Sequence, residues 1–473
     1  MKSVAIIGAG ITGLTAAFYL KRAGVPVTVY EAGERAGGVI QSIRKDGFLA
    51  EFGPNTILET SPKIAQFVSD AGLESRRLAS DPRAEARYLV RHRRPIKMPG
   101  SPLGFLATKL FSARAKLAVL REPFVPPLRD GAEESVAQFV VRRLSQEFLD
   151  HAVEALVAGV YAGDPGKLSV QHAFPRLAQL EARYGSLIKG QIFGARQRQR
   201  RGEIAKDRAP KFSFDEGLQV LPDALAAQLG DAVKLNSPVM GLTQMENGWR
   251  VSTPSGEVEY GAVIYCGTAY RLAELRVDAR ASPASSLSPS VEERAEERGA
   301  GRLGMFSAVR YPPVASVALG FRRQDVAHPC EGFGMLVPKI EGFKILGTIF
   351  SSSLFPNRAP AGHILLTSYV GGERQPELAS LSAEKLVGLV CADLRLLLGV
   401  QGGPVFQHCA IYPKAIPQYT VGYGKFKDRM ETMEAAAPGL FFAGSYRDGV
   451  SLGDSIVSGC TAAERGAAFL QHG

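Results

Sequence analysis

The chain has 473 residues, of which 45% are hydrophobic and 22% charged, and a formal net charge of +10. That length buries a large core and exceeds one typical domain, and the composition excludes a disordered or fibrous chain. The positive surplus suits anionic substrates, anionic lipid surfaces or nucleic acid without choosing among them.

Val4 to Ile7 reads as a strand. Gly8-Ala9-Gly10-Ile11-Thr12-Gly13 follows and opens an apolar helical stretch from Leu14 to Ala23, which Gly24 stops. Val27 to Tyr30 reads as a second strand and ends on Glu31. Strand, glycine turn, helix, strand and acid come in the order of a dinucleotide site. Gly8 lets the backbone turn sharply, Gly10 leaves room for a pyrophosphate, and Gly13 lets the helix pack close to the sheet. The helix N-terminus offers N–H groups and a positive dipole end to the phosphates. Glu31 is placed to accept hydrogen bonds from a ribose diol. An ordinary βαβ turn can carry GxGxxG alone; the whole context argues against that reading. Arg35, Gly37 and Gly38 come directly after. They resemble the FAD-binding members of this fold, in which the arginine pairs with the pyrophosphate as a fork. These glycines also break the apolar N-terminal stretch, so no signal peptide is read there.

Residues 47–56 read as a strand running into a Gly-Pro turn, and Ser61 caps a helix that starts at Pro62. Residues 76–97 carry Arg76, Arg77, Arg83, Arg87, Arg91, Arg93, Arg94 and Lys97 against Asp81 and Glu85 only. A solvated hairpin explains most of them; one could point into a pocket for an acidic substrate. Residues 102–200 are mainly helical, and 105–121 reads either as an amphipathic segment lying on a membrane interface or as a helix packed on a core. The basic run 196–211 reads as an exposed loop. It holds no aromatic residue to stack on bases, so nucleic acid is not expected.

Val233–Leu235, Val239–Thr243, Trp249–Thr253 and Val258–Tyr260 read as short strands, with hairpin turns at Asn247-Gly248 and Ser255-Gly256. Ala262 to Cys266 reads as a buried strand and 278–302 as a solvated linker with a polar helix. From Val314 the pattern turns to a second, antiparallel sheet, followed by an amphipathic helix over 382–398, and Ala410 to Pro413 leads back to the nucleotide unit. Gly439 to Phe442 reads as a strand, then a glycine turn, then a helix from about Leu452. Its N-terminus could face the flavin edge that gains negative charge on reduction. The five cysteines form no CxxC and the seven histidines no cluster, so no metal is expected and a reducing, cytoplasmic compartment is. No run of about eighteen apolar residues reads as a membrane span.

With both ends read, the chain resembles the protoporphyrinogen oxidase family, within the amine-oxidase-like flavoproteins. GAGITG at 8–13, EAGERAGG at 31–38 and AGSYRDGVSLGD at 443–454 match the flavin signature. EFGPN at 51–55, RYLV at 87–90, GVYAGD at 159–164, GFGMLVP at 332–338, ILGTIFSS at 345–352, YVGG at 369–372 and IPQY at 416–419 are more specific. The resemblance implies an α/β protein with a discontinuous Rossmann-like FAD-binding domain (1–75, 212–270, 410–473). It implies an α+β substrate domain with an antiparallel sheet (76–98, 271–409) and a helical, membrane-associating insertion (99–211). FAD would contact Gly8, Ala9, Gly10, Ile11, Thr12, Gly13, Glu31, Arg35 and Gly38. It would also contact Gly53, Pro54, Asn55, Thr56, Val239, Gly444, Val450, Ser451 and Leu452. Arg87 matches an arginine that pairs with a substrate propionate, Gly159 a carbonyl that accepts from pyrrole N–H groups, and Leu336, Ile349 and Tyr369 the residues that sandwich the macrocycle. The polar tip of Tyr369 has no role in that scheme.

The implied chemistry is hydride transfer from a porphyrinogen to flavin N5, with dioxygen as acceptor and hydrogen peroxide as product, and no catalytic side chain. The implied partners are the tetrapyrrole and, compatibly with these residues, a peripheral contact with the cytoplasmic face of a membrane and a second copy of the chain. Protoporphyrinogen IX leads. Coproporphyrinogen III, with four propionates, would want more cations at the pocket; a flavin amine oxidase would want an aromatic cage, for which Tyr446 is the one candidate. A nucleotide-binding scaffold without activity is the weakest reading.

Overall fold

The structure, a computed structural model, describes residues 2–128, 132–201, 209–279 and 303–472. Its nucleotide half is built on a five-stranded parallel sheet in the order Val233–Lys234, Val27–Tyr30, Val4–Ile7, Ala262–Tyr265, Leu440–Phe442. Successive residues of a strand face opposite ways. Val4 and Ile6 enter one core with the helices Ile11–Arg22 and Leu452–His472, while Ala5 and Ile7 enter another with Trp249, Val251, Tyr419 and Tyr423. Both faces are thus covered, as an all-parallel sheet requires.

The two helices on the first face run side by side in the same direction. Thr12 Oγ1 donates to the Ser455 carbonyl at 3.1 Å. A Cβ on Gly459 would lie 2.5 Å from the Thr12 carbonyl, and one on Gly466 would meet Leu20 at 3.9 Å. Both N-termini therefore point to the same end of the sheet, although one belongs to the start of the chain and the other to its end.

The expected meander forms Gly241–Met245, Gly248–Thr253 and Gly256–Tyr260, joined at the two expected turns. Val233–Lys234 does not belong to it. That strand pairs in parallel with Val27–Tyr30 and closes the nucleotide sheet.

The second sheet has seven strands in the order Phe406–Tyr412, Val314–Arg322, His363–Gly371, Ile345–Ile349, Gly334–Leu336, Arg87–Arg91, Arg94–Lys97. Neighbours are antiparallel except Gly334–Leu336, which runs parallel to Arg87–Arg91. One face packs under the helix Ala383–Leu398, through Val317, Leu319, Phe321 and Leu366 against Leu386, Val390 and Leu394. The other face is turned to the helix Glu154–Tyr161. Phe406–Tyr412 lies along Val314–Arg322, so the chain leaves this sheet only after Tyr412, later than the sequence suggested.

The described residues of 102–200 are mainly helical, as expected. The expected loop 196–211 is instead helical at its start, where the helix Leu187–Arg201 ends, and Lys211 opens the strand Lys211–Phe214; residues 202–208 lie outside the described residues. So do 280–302, most of the expected linker. Among the described residues, no helix is long and apolar enough to cross a membrane.

Candidate active site

The glycine turns from both ends of the chain meet at one edge of the nucleotide sheet. Cys266 N donates to the Ile7 carbonyl at 2.8 Å, and Ala443 N to the Tyr265 carbonyl at 3.0 Å. The three strand ends are therefore neighbours. Gly8 takes φ +102°, and a Cβ there would lie 3.2 Å from the Cys266 carbonyl. A Cβ on Gly13 would lie 2.0 Å from the Gly8 carbonyl, whereas one on Gly10 meets nothing within 4 Å. Helix and turn are closed together at Gly13 and open outward at Gly10, where the sequence leads one to expect a pyrophosphate.

The other residues expected to hold the cofactor are tied to these turns as follows. Gly37 N donates to the Ala9 carbonyl at 2.8 Å, and a Cβ on Gly38 would stand 3.4 Å from the Gly10 Cα. Glu31 Oε2 accepts from Ala9 N and Oε1 from Gly33 N, both at 2.8 Å. Ser237 N donates to the Glu31 carbonyl at 2.8 Å, which brings Val239 to the same strand tip. Gly53, leading Pro54, Asn55 and Thr56, approaches the Val39 carbonyl. Gly453, next to Leu452, approaches the Leu58 carbonyl. Ser451 and Asp454 cap the C-terminal helix reciprocally, N–H to Oδ2 at 3.3 Å and N–H to Oγ at 3.1 Å. Ile11 and Thr12 are the first residues of the nucleotide helix, and Gly444, at φ +122°, begins the other turn. Arg35 is the exception. Its guanidinium donates to the carbonyls of Ala36, Gly38 and Ile40 and so braces the second glycine turn.

The positions expected to contact substrate, Gly159 apart, lie on one sheet. Tyr369 pairs with Gly347, Gly347 with Leu336, and Leu336 with Leu89; one row along, Ile349 pairs with Gly334 and Gly334 with Arg87. Leu336 packs with Leu89, Phe111 and Ala155, and Tyr369 with Ala158 and Ala162. Both therefore point to the helix Glu154–Tyr161. A Cβ on Gly159 would stand 2.5 Å from Leu336 Cδ2. Arg87 lies 5.7 Å from the Phe333 ring centroid, and among the described residues no carboxylate pairs with it. Four of its basic neighbours are engaged: Arg76 with Asp215, Arg77 with Glu59, Arg83 with Asp81 and Arg91 with Glu147. Arg93, Arg94 and Lys97 form no ion pair with a carboxylate among the described residues either, but Arg87 is the one in register with Gly334 and Ile349.

The profile of flavin containing amine oxidoreductases matches residues 11–465. The chain belongs to this family. Protoporphyrinogen oxidase 2, chloroplastic/mitochondrial, of Arabidopsis thaliana is 34% identical over 99% of this chain and 94% of its own. Coproporphyrinogen III oxidase of Bacillus subtilis is 30% identical over 99% and 98%. A crystal structure from Exiguobacterium sp. 255-15 superposes with a TM-score of 0.79 at 24% identity over 99% of both chains. Putrescine oxidase bound to putrescine gives 0.68 at 17% over 100% and 99%. The structural neighbours bear out the expected fold class. The cofactor of this flavin oxidoreductase is FAD, and the open Gly10 position and paired helix N-termini fit a dinucleotide.

The geometry gives the Tyr369 hydroxyl a role. It donates to the Gly53 carbonyl at 3.1 Å and accepts from Asn55 Nδ2 at 2.6 Å. Burial, with Tyr412 and Glu51 nearby, pushes its pKa up, so it stays a donor. The ring lies on the sheet face expected to meet substrate, and the hydroxyl holds the Gly53–Asn55 turn. Tyr369→Phe leaves the Asn55 amide with one partner fewer and is expected to cost ~1–3 kcal/mol, read as a lowered melting temperature of this flavin oxidoreductase with its FAD retained. Tyr446, the one cage candidate, is fully buried, with its hydroxyl 3.4 Å from the Tyr265 carbonyl, and offers nothing to an amine.

The sequence reading missed Leu156 and Val160. With Gly159 they form the exposed stripe of the helix Glu154–Tyr161, beside Leu336. Their spacing around Gly159, three before and one after, was the available signal.

Proposed function

We propose that the protein oxidises protoporphyrinogen IX to protoporphyrin IX on FAD, with dioxygen as acceptor and hydrogen peroxide as product. The names of the relatives support a porphyrinogen. The observation that carries the reading is the wall itself: Leu336 and Tyr369 lie in one row of the sheet and Ile349 in the next, and that second row ends at Arg87, which no carboxylate neutralises among the described residues. A macrocycle with a greasy body and a carboxylate edge fits that order. FAD, when bound, would supply the acceptor for a hydride from a substrate C–H and the route for the electrons to dioxygen. The chain's residues place the two. Gly8–Gly13, Glu31, Gly38, Gly53–Thr56, Val239, Gly444 and Val450–Leu452 hold the dinucleotide, with Arg35 stiffening the second turn. Gly159 offers a carbonyl to pyrrole N–H groups, and the apolar side chains of the wall exclude water. The same reading divides the chain into FAD-binding, substrate-binding and helical parts, as the resemblance implies.

Arg87→Ala is expected to raise the porphyrinogen KM roughly 10- to 100-fold, the worth of a hydrogen bond to a charged group, with an unchanged flavin spectrum. An unaltered KM would remove Arg87 from the slot.

Coproporphyrinogen III is the second reading. The Bacillus relative supports it, and Arg91 faces the same way as Arg87, four residues along the strand. Glu147, at 3.6 Å, and His151 engage Arg91, which favours the substrate with fewer carboxylates. Turnover on the two porphyrinogens, followed by porphyrin fluorescence, separates them. Membrane contact through the helical part is supported by exposed Leu103, Leu106, Leu117, Leu120 and Phe124; co-flotation with anionic vesicles tests it.

A further inference from the structure

The IPQY segment at 416–419 has no part in the cradle or the slot, yet it touches both. Gln418 and Tyr419 are each 2% exposed, and their side chains go opposite ways. Gln418 Nε2 donates to the Tyr161 carbonyl at 2.8 Å and to the Ile416 carbonyl at 3.0 Å. Tyr161 is the last residue of the helix that carries Gly159, and its carbonyl is one of those a helix end leaves without an internal partner. The Gln418 backbone N–H is itself fixed, donating to the Arg310 carbonyl at 2.9 Å. A Cβ on Gly163 would lie 2.4 Å from Gln418 Oε1, so the chain leaving that helix folds tightly over this amide.

Tyr419 reaches the other way. Its hydroxyl donates to the Ser445 carbonyl and accepts from Gly449 N at 3.0 Å. These two groups lie at the two ends of the loop between Gly444 and Val450. Tyr423 Oη holds the middle of the loop through the Tyr446 carbonyl at 2.6 Å. Gly449 takes φ +128°, a conformation that needs something to hold it, and the Tyr419 hydroxyl is what its N–H meets. Val450, Ser451 and Leu452 follow directly.

We propose that Gln418 and Tyr419 are positioning residues that set the separation between the substrate slot and the flavin. One side chain anchors the end of the slot helix and the next anchors the turn before the C-terminal helix. Both are borne on one short stretch of main chain, so the two walls cannot shift independently. Hydride transfer is steep in donor–acceptor geometry: a displacement of about 1 Å can cost roughly 100-fold. The inference rests on the proposed function in one respect, that the slot helix faces the substrate and the 444–452 turn faces the flavin.

Two variants test it in the FAD-loaded full chain: Tyr419→Phe, which keeps the ring, and Gln418→Met, which keeps the length. Amide hydrogen exchange is the first readout and needs no substrate. Tyr419→Phe should lose protection in peptides covering 444–451 with 154–163 unchanged, and Gln418→Met should do the reverse. Anaerobic single-turnover flavin reduction by protoporphyrinogen is the second. Each variant should slow it about tenfold or more with the substrate KM within about twofold, and the double variant should be no slower than about the worse single. Additive rate losses would overturn the coupling. Wild-type rates with wild-type exchange would overturn the role altogether. Should the wild-type protein fail to oxidise any porphyrinogen, the proposed function falls, and the exchange pattern still decides whether the two anchors exist. If Tyr419→Phe does not fold, Tyr419→His, which keeps a ring and a polar tip, must restore exchange protection at 444–451; failure to do so in a folded protein counts against the proposal.

Discussion

Gly13→Ala is expected to give a folded but colourless protein. A methyl on Gly13 would lie 2.0 Å from the Gly8 carbonyl and 3.2 Å from Ile6 Cγ2. The carbonyl is main chain held between two strands, since Gly8 N donates to the Tyr30 carbonyl at 2.8 Å, so it cannot swing aside as a side chain would. Either the helix lifts from the sheet or the turn opens. The first breaks the contact with Gly459, where the two helices touch through main chain; the second removes the N–H groups aimed at the pyrophosphate. Both lead to flavin loss. The expected result is a fall of at least 100-fold in FAD affinity, about 2.7 kcal/mol, measured by flavin fluorescence on dilution, with far-UV circular dichroism close to wild type. Gly10→Ala is the internal control. Its methyl meets nothing within 4 Å in the protein, so it should leave the protein's melting temperature unchanged and weaken FAD alone. Equal FAD affinity in Gly13→Ala and wild type would mean that the turn is not where the cofactor binds.

The contrast between these glycines shows what was legible beforehand. The Gly8–Gly13 unit is local: strand, turn, helix and acid lie within one stretch, each residue's role follows from its neighbours, and the structure keeps that order. The substrate wall is not local. Eight cations crowd 76–97, and nothing in that stretch says which is left unpaired. Arg76 is taken by Asp215, Arg77 by Glu59, Arg83 by Asp81 and Arg91 by Glu147, and of the cations left unpaired only the folded register puts Arg87 in line with Gly334 and Ile349. The strand of Arg87 also runs parallel to Gly334–Leu336, a partner no short-range pattern predicts. Of the hairpin of Ser42–Lys45 with Phe48–Glu51 the sequence shows only the second strand, within 47–56; Arg44 pairs with the distant Glu216, a contact no short-range pattern carries. By its sequence the expected strand Val233–Leu235 groups with the meander, whereas Val233–Lys234 belongs to the nucleotide sheet. Two residues of strand carry no address, and its place is fixed by Tyr30, its partner across the sheet.

Glu122→Ala is expected to be the most destabilising single change in the helical layer. The side chains of Glu122 and Arg143 are fully buried and meet at 2.9 Å. Glu122 also accepts from Ser186 Oγ at 2.5 Å and from the N–H groups of Leu187 and Ile188 at 2.8 and 3.2 Å. Its carboxylate therefore caps the helix Leu187–Arg201 while neutralising an arginine on the helix Val136–Arg143. Alanine leaves Arg143 to Glu181, which Arg142 already shares at 2.8 Å, and strands the helix N-terminus. Removing one partner of a buried pair costs roughly 3–5 kcal/mol, seen as a lowered urea midpoint by circular dichroism. The flavin spectrum of the folded variant should not change, because no member of this network touches the cradle. The pair need not be net stabilising for this to hold, since desolvating two charges offsets much of their attraction. Glu122→Met combined with Arg143→Met removes both charges at once and should therefore be less destabilised than the sum of its two single variants. Additivity in that cycle would show that the two side chains act separately, and that the helix cap alone accounts for the loss.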